Sequence, residues 1–489
     1  MNGDTHAQGL TGTTNHTRGS TMTDQALEAA IAKLTNDGAA PSVIAAFVDR
    51  YARFAGGETG YLHEADLRPL TDPPLLEDLP LDSGAVEALA QTAVVRLNGG
   101  LGTSMGLAGP KCLIPVREGL TFLDIVVRQL LALRAAHGVR LPLLLMDSYN
   151  TSAGTLAALQ AYPELPVDDL PLDFLQSREP KLLADTRMPV QWPADPGLEW
   201  CPPGHGDFYP SLHASGLIPR LLAAGFRYLF VANIDNLGAL PDPRLAGWFA
   251  SSGAPYATEV TTRTDMDRKG GHLGYRNSDS RLVLRDTAQV SPDEMEFFVD
   301  IERHPWTHCN NLWLDLVQVS DILDANQGTL SLPLIVNRKT VDPADASSPA
   351  VVQLEGAVGA AVEVFEGAQA IGVPRSRFLP VKGTPELLVL RSDVYDFAAD
   401  ARLVARTTAP IVQLDPDHYK LIDQFEARFP AGPPSLMAAE TFKVIGDWTF
   451  GAGVQVRGAA VLAVPAGQDA AVPRFVPDGA VITESGVTG

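Results

Sequence analysis

Between Leu97 and Lys111 the chain reads Leu-Asn-Gly-Gly-Leu-Gly-Thr-Ser-Met-Gly-Leu-Ala-Gly-Pro-Lys, and this stretch directly follows the apolar run Ala93-Val94-Val95-Arg96-Leu97. Its five glycines let the backbone turn sharply and bring N–H groups close to anionic oxygens, while Lys111 closes the stretch with a positive charge. The expected structure is a buried strand running into a phosphate cradle. Spacing rejects the two familiar phosphate loops. No Gly-Lys-Ser/Thr closes the stretch, which excludes a Walker loop. Gly100-Leu101-Gly102 is followed at the third-glycine position by Met105, with Gly106 one residue late, which excludes the dinucleotide fingerprint.

The chain has 489 residues, enough for roughly two to three domains with a sizeable core. Its 37 Lys and Arg against 58 Asp and Glu give a formal net charge of −21. Such a field repels nucleic acid and anionic membrane surfaces, so neither is an expected partner. The three cysteines, Cys112, Cys201 and Cys309, are far apart and odd in number. They fit neither a disulfide framework nor a paired zinc-ligand spacing, and a reducing cytoplasm is the expected compartment. No apolar stretch reaches the ~18 residues of a membrane span; the candidate 216–236 is interrupted by Arg220, Arg227 and Asp235.

Residues 1–22 are polar, rich in Thr, Gly and Asn, and are expected to form a disordered tail. A helical segment follows over 23–84, with one helix behind a Thr23 or Asp24 cap, a second from Pro41 to about Phe54, and an extended connection over 61–84. Over 85–408, short apolar runs alternate with amphipathic segments, the pattern of an α/β domain with a mixed, mostly parallel sheet. Its strands include 93–97, 141–146 and 227–232. Its clearest helix is 121–137, with Phe122, Ile125, Val126, Gln129, Leu130 and Leu133 on one face. Ligands in such sheets bind beyond the carboxyl ends of the strands. Over 409–489 aliphatic runs alternate with Gly and Pro, which suggests a small module with a β-solenoid-like end.

The phosphate stretch closely resembles the loop of the eukaryotic-type UTP–glucose-1-phosphate uridylyltransferases, also called UDP-glucose pyrophosphorylases. The resemblance runs from about Ala93 to Asp393. It includes Asp147-Ser148-Tyr149-Asn150-Thr151, Gln176-Ser177-Arg178, Pro202-Pro203-Gly204-His205-Gly206-Asp207, Asn233-Ile234-Asp235-Asn236-Leu237-Gly238, Lys269-Gly270-Gly271, Asn310-Asn311-Leu312-Trp313 and the run from Pro374 to Lys382, in the family's order. It implies a glycosyltransferase-A-like nucleotidyltransferase domain and a C-terminal β-helix-like module. It also implies reversible formation of UDP-glucose and pyrophosphate from UTP and glucose 1-phosphate, with Mg²⁺. Both substrates are strongly anionic and the attacking phosphate oxygen is already ionised. Charge neutralisation and in-line positioning are therefore the main requirements, and no general base is needed.

The resemblance assigns the cationic clamp to Lys111 and Lys382. A lysine is ordinarily a solvated surface charge, but Lys382 ends the apolar segment Phe378-Leu379-Pro380-Val381. Asp235 follows a strand end, where a carboxylate reaches a hard, oxygen-coordinated Mg²⁺ shared with phosphates; the ordinary alternative is a turn cap. Leu97, Asn98, Gly99 and Gly100 would line the nucleotide. Gln176, with an amide that both donates and accepts, would read the uracil edge, and Gly204 would lend backbone contacts. For the sugar phosphate the resemblance nominates His205, Asn233, Gly270, Asn310, Asn311 and Phe378. Arg375 and Arg377 either add positive potential or form surface pairs.

Cys112 stands where the family often has Ser, and Trp306-Thr307-His308-Cys309 replaces a more polar run, so the sugar preference is left open. The 409–437 region matches poorly, which leaves self-association open as well. UDP-N-acetylhexosamine and broad UDP-sugar pyrophosphorylases are the nearest rivals. They generally carry an Arg where Ser104 or Met105 stands. A nucleotide-sugar-binding regulator without turnover would lack a catalytic cation, yet Lys111, Asp235 and Lys382 are all present.

Overall fold

A computed structural model describes residues 16–107, 109–464 and 472–488. Most of the expected tail, residues 1–15, lies outside them. Two helices come first, α1 (His16–Asn36) and α2 (Pro41–Ala55). α1 begins ahead of the cap expected at Thr23 or Asp24, so 16–22 are helical rather than tail. In chain order the main sheet comprises β1 (Leu67–Pro69), β2 (Thr92–Asn98), β3 (Leu143–Asp147), β4 (Asp173–Leu175), β5 (Tyr228–Asn233), β6 (Tyr256–Thr262), β7 (His272–Arg276), β8 (Leu282–Arg285), β9 (Trp306–Asp315) and β10 (Gln369–Gly372).

The strand order is β1-β7-β9-β5-β2-β3-β4, with β8 beside β7, and with β6 between β9 and β10. β5, β2, β3 and β4 run parallel. β9 lies antiparallel to both β5 and β6, and β7 antiparallel to β1, β8 and β9. The sheet is thus mixed, with parallel pairing on one side and mainly antiparallel pairing on the other, and the expectation of a mostly parallel sheet is corrected. β9 is the physical reason. This ten-residue strand enters against the grain and offers antiparallel edges on both sides. β1, within the expected extended connection, pairs with β7.

β2 is buried along its whole length. Because successive strand residues face opposite ways, Val94 joins one hydrophobic cluster while Ala93, Val95 and Leu97 join the other. The first cluster is covered by α3 (Phe122–His137). Thr121 caps this helix by a capping box with Asp124, and Gly138, at φ 65°, ends it in the left-handed conformation. Phe122, Ile125, Val126 and Leu130 are buried, each side chain stabilising the layer by about 1.5–3 kcal/mol. Gln129 is buried with them and donates to the carbonyls of Leu237 (3.1 Å) and Ala401 (3.0 Å).

The last 80 residues form β11 (Ile411–Gln413), β12 (Ser435–Val444), β13 (Trp448–Phe450), β14 (Gln455–Leu462), β15 (Arg474–Val476), β16 (Val481–Thr483) and β17 (Gly486–Thr488). β11, β12, β14 and β16 pair in parallel, as do β13 and β15. β17 turns back antiparallel on β16. Their apolar side chains, Phe442, Phe450 and Val456 among them, belong to the same cluster as α3.

Candidate active site

The parallel strands end together. β2 pairs with β5 so that Leu97 lies opposite Asn233, and with β3 so that Asn98 lies opposite Asp147. The carboxyl edge of the sheet therefore brings together the start of the glycine-rich loop, the 233–238 turn and, through β4, Gln176. Ile234 N–H donates to the carbonyl of Leu97 (3.2 Å), and Lys111 N–H to that of Gly100 (3.3 Å). An added Cβ on Gly99 would lie 2.7 Å from Gln176 Cδ, so loop and amide are in direct contact. Asn98 is buried beneath the loop. Its amide donates to Asp147 Oδ1 (2.6 Å) and Thr155 Oγ1 (3.1 Å), so it braces the cradle from below.

Lys111 joins three parts of the chain. Its Nζ donates to Asp235 Oδ2 (2.5 Å) and to the carbonyl of Val381. With side chains only 17 % and 19 % exposed, the Lys111–Asp235 pair is shielded enough for its charges to act strongly. Val381 is buried, and Lys382 next to it is exposed. Among the described residues the Lys382 ammonium has no hydrogen-bond or ion-pair partner. Lys111, Asp235 and the peptide that joins Val381 to Lys382, from distant parts of the sequence, thus meet at the carboxyl edge of the sheet.

The 374–382 strap is locked to the 233–238 turn from below. Asn236, 1 % exposed, donates to Asn311 Oδ1 (3.2 Å) and to the carbonyl of Arg377 (3.2 Å), and its Oδ1 accepts from Leu379 N–H (2.8 Å). Asn236 and Pro380 also form an isolated β-bridge. Gly238 passes so close to the strap that an added Cβ would lie 2.8 Å from Arg377 C. Arg377 is buried and holds Glu259 through both ends of its guanidinium, Nε to Oε2 (2.8 Å) and Nη2 to Oε1 (2.7 Å). Arg375 is paired with Asp267 (2.5 and 3.1 Å) and sits 5.2 Å from the Phe378 ring centroid. Of the two alternatives for these arginines, ion pairing is what the fold uses, with Arg377 inside the protein.

The residues nominated for the sugar divide. Asn310, with φ 55°, donates to Asn233 Oδ1 (2.9 Å) at the crevice. Asn311 is fully buried, and its amide donates to Glu259 Oε2 (3.0 Å). It lies beneath the crevice rather than in it. Gly270 fits closely against β9, since a Cβ there would lie 2.8 Å from Thr307 Oγ1. Gly204 adopts φ 78°, and a Cβ on it would meet the Gly356 carbonyl at 2.5 Å. His205 Nδ1 accepts from Val358 N–H (2.8 Å), which leaves Nε2 as the protonated nitrogen of a neutral ring. Packing around the ring lowers its pKa, with Asp286 opposing. Nearby His308 is lowered to about 3 by burial and by His205. Both imidazoles are therefore neutral near pH 7.

Asn236, Glu259, Asp147 and Arg96 were not among the nominated residues. The signal available in the sequence is a charged or amide side chain set within an apolar strand, as in Val95-Arg96-Leu97 and Thr258-Glu259-Val260. Buried polar groups of that kind need partners.

A glycine-rich turn and a lysine–aspartate pair lie together at the carboxyl edge of an α/β sheet, the place where such sheets bind ligands. Residues 44–457 match the UTP–glucose-1-phosphate uridylyltransferase family, and the chain belongs to that family. It is 37% identical to the UTP–glucose-1-phosphate uridylyltransferase of Solanum tuberosum over 455 residues, 91% of this chain and 92% of the relative. It is also 37% identical to that of Saccharomyces cerevisiae over 408 residues, 83% and 79% of the two chains. Among solved structures, a Leishmania major UDP-glucose pyrophosphorylase variant in complex with UDP-glucose superposes with a TM-score of 0.88 at 39% identity, covering 94% of this chain and 98% of that one. A Trypanosoma brucei structure gives 0.87 at 40% identity with the same coverage.

Proposed function

We propose that this protein transfers the uridylyl group of UTP to glucose 1-phosphate, giving UDP-glucose and pyrophosphate in a reversible, direct displacement. An oxygen of the sugar phosphate forms a bond to the α-phosphorus as the bond from that phosphorus to the bridging oxygen of the β-phosphate breaks. Pyrophosphate leaves with the bonding pair. The observation that carries this reading is the convergence of Lys111, Asp235 and the Val381–Lys382 end of the strap at the carboxyl edge of the sheet.

Lys111 and Lys382 hold phosphate oxygens and offset the repulsion between two anions as they approach. The loop that leaves the strand after Leu97 and Asn98 offers Gly99 and Gly100 to the nucleotide, Gln176 takes the uracil edge, and Gly204 lends backbone contacts. Asn233, Asn310, His205, Gly270 and Phe378 bound the sugar phosphate. The neutral His205, with Nε2–H free to donate, suits a phosphate oxygen. Asn311 acts from beneath. Asp235 fits Mg²⁺: its carboxylate is a hard oxygen donor, and its Oδ1 has no hydrogen-bond partner among the described residues. No group of three or more His, Cys, Asp or Glu forms a ready metal cage among the described residues, so substrate oxygens and water would complete the shell. When bound, the ion neutralises phosphate charge.

The catalytic unit is read as a glycosyltransferase-A-like domain over 85–408, preceded by a helical segment, with 409–489 as a β-solenoid-like module. The parallel pairing of β11, β12, β14 and β16 supports the last of these. Three buried free cysteines suit a reducing cytoplasm. No helix among the described residues is long and apolar enough to cross a membrane.

Pyrophosphate release with Mg²⁺ tests the reading. Release is expected from UTP only when a hexose 1-phosphate is present, with glucose 1-phosphate preferred. No release across a panel of sugar 1-phosphates and of ATP, CTP, GTP and dTTP beside UTP would overturn it.

A further inference from the structure

Arg96 lies within the otherwise apolar run from Ala93 to Leu97, with 1 % of its surface exposed. Its guanidinium has no carboxylate within hydrogen-bonding distance among the described residues. It donates only to carbonyls, Nη1 to Asn233 (3.2 Å) and Asn236 (3.4 Å) and Nη2 to Ala239. Its Nε has no hydrogen-bond partner among the described residues. Burying a cation without an ion pair is costly. Burial and the neighbouring Arg377 guanidinium, opposed by Glu259 and Asp235, lower its pKa to about 9, so the group is still charged at pH 7. An aliphatic residue would complete the strand at less cost. What it would lack is a planar fork that spans three carbonyls.

Those three carbonyls belong to one short turn. The turn carries Asp235, whose carboxylate meets Lys111, and Asn233, whose side chain meets Asn310. We infer that Arg96 is a positioning residue for nucleotidyl transfer: its guanidinium holds the 233–239 turn so that Asp235 faces Lys111 and Asn233 faces Asn310. The inference rests on the roles proposed above for Asp235 and Lys111. Arg96 itself lies beneath the turn and touches no reacting atom.

The test compares Arg96→Met and Arg96→Lys with the parent, full-length protein. The readouts are kcat, both KM values, UTP affinity by calorimetry, and hydrogen exchange across 233–240 and across β6 as a control. In Arg96→Met, kcat is expected to fall by about 100-fold, the scale of a misplaced catalytic group, while UTP affinity changes by less than about 3-fold. Exchange should quicken across 233–240 and not across β6. Arg96→Lys keeps the charge and some of the bonds, so it should lose less than about 10-fold in kcat, with an intermediate rise in exchange. Unchanged kcat in Arg96→Met, or UTP affinity falling in step with kcat, overturns the inference. If Arg96→Met does not fold, exchange in Arg96→Lys decides, and rates equal to the parent's across 233–240 overturn it. If the parent releases no pyrophosphate, the functional reading fails by itself, and the exchange data still judge whether Arg96 holds the turn.

Discussion

The loop that ends at Lys111 and the strap that ends at Lys382 meet where Lys111 donates to the Val381 carbonyl, yet they present their two lysines under opposite conditions. Lys111 is largely buried, and its ammonium is committed to Asp235 and to the Val381 carbonyl. Lys382 is exposed, with no partner among the described residues, although the chain just before it is fastened through Asn236, Leu379 and the buried Val381. The difference separates two ways of preparing a cation. One is held in advance by protein groups and must exchange them for substrate oxygens. The other stands on a rigid base with its head free.

Activity alone would not distinguish the two, since replacing either lysine by Met is expected to lower kcat about 10³-fold, about 4 kcal/mol of transition-state stabilisation. Stability would distinguish them. Lys382→Met should melt with the parent, whereas Lys111→Met leaves Asp235 facing no cation and should cost about 1 kcal/mol. Equal melting temperatures for the two variants would erase the contrast.

The base of the strap can be attacked directly. Gly238→Ala introduces a Cβ 2.8 Å from Arg377 C, and backbone cannot move aside as a flexible side chain does. A stability loss of about 3 kcal/mol is expected in urea titration, together with about a 10-fold fall in kcat as Lys382 shifts. A variant as stable and active as the parent would show that the strap does not depend on this close approach.

The smallest effect belongs to the floor of the loop. Asp147 is fully buried and its pKa is raised to about 6, mainly by desolvation and also by Asp173, against hydrogen bonds from Thr151 and Asn98. Its Oδ2 has no hydrogen-bond partner among the described residues. Because the folded protein holds this proton more tightly than the unfolded chain does, stability falls as pH rises from about 4 through 6, by about 2 kcal/mol. Asp147→Asn should remove that slope, leaving the variant more stable than the parent at pH 8 and closest to it near pH 4. Parallel stability curves for the two proteins would refute the assignment.

Much of the crevice was legible because its parts are local. Turn chemistry marks the glycine-rich loop, a capping residue and a helical period mark α3, and short apolar runs mark β2 and β5. Each depends on residues within a few positions of one another. The mixed sheet was not legible in the same way. Nothing inside the run from Trp306 to Asp315 records that its neighbours, β5 and β6, run in the opposite direction. Asn310 and Asn311 look alike in the sequence, yet adjacent strand residues face opposite ways, so one reaches the crevice and the other reaches Glu259. Arg96, Glu259 and Arg377 read as isolated charges because their partners lie far along the chain.

Two residues beyond Lys382 begins the helix Thr384–Arg391, which buries Leu387, Leu388 and Val389 in the cluster shared with the C-terminal strands. Thr384 Oγ1 donates to the carbonyl of Tyr419 (2.7 Å), and the Tyr419 hydroxyl donates to that of Trp448 (2.6 Å). The final 80 residues are consequently the footing on which Lys382, one of the two lysines proposed for the phosphate clamp, stands. A shortened chain that stopped near Arg406 would keep every residue nominated for the chemistry and lose the ground beneath one of them.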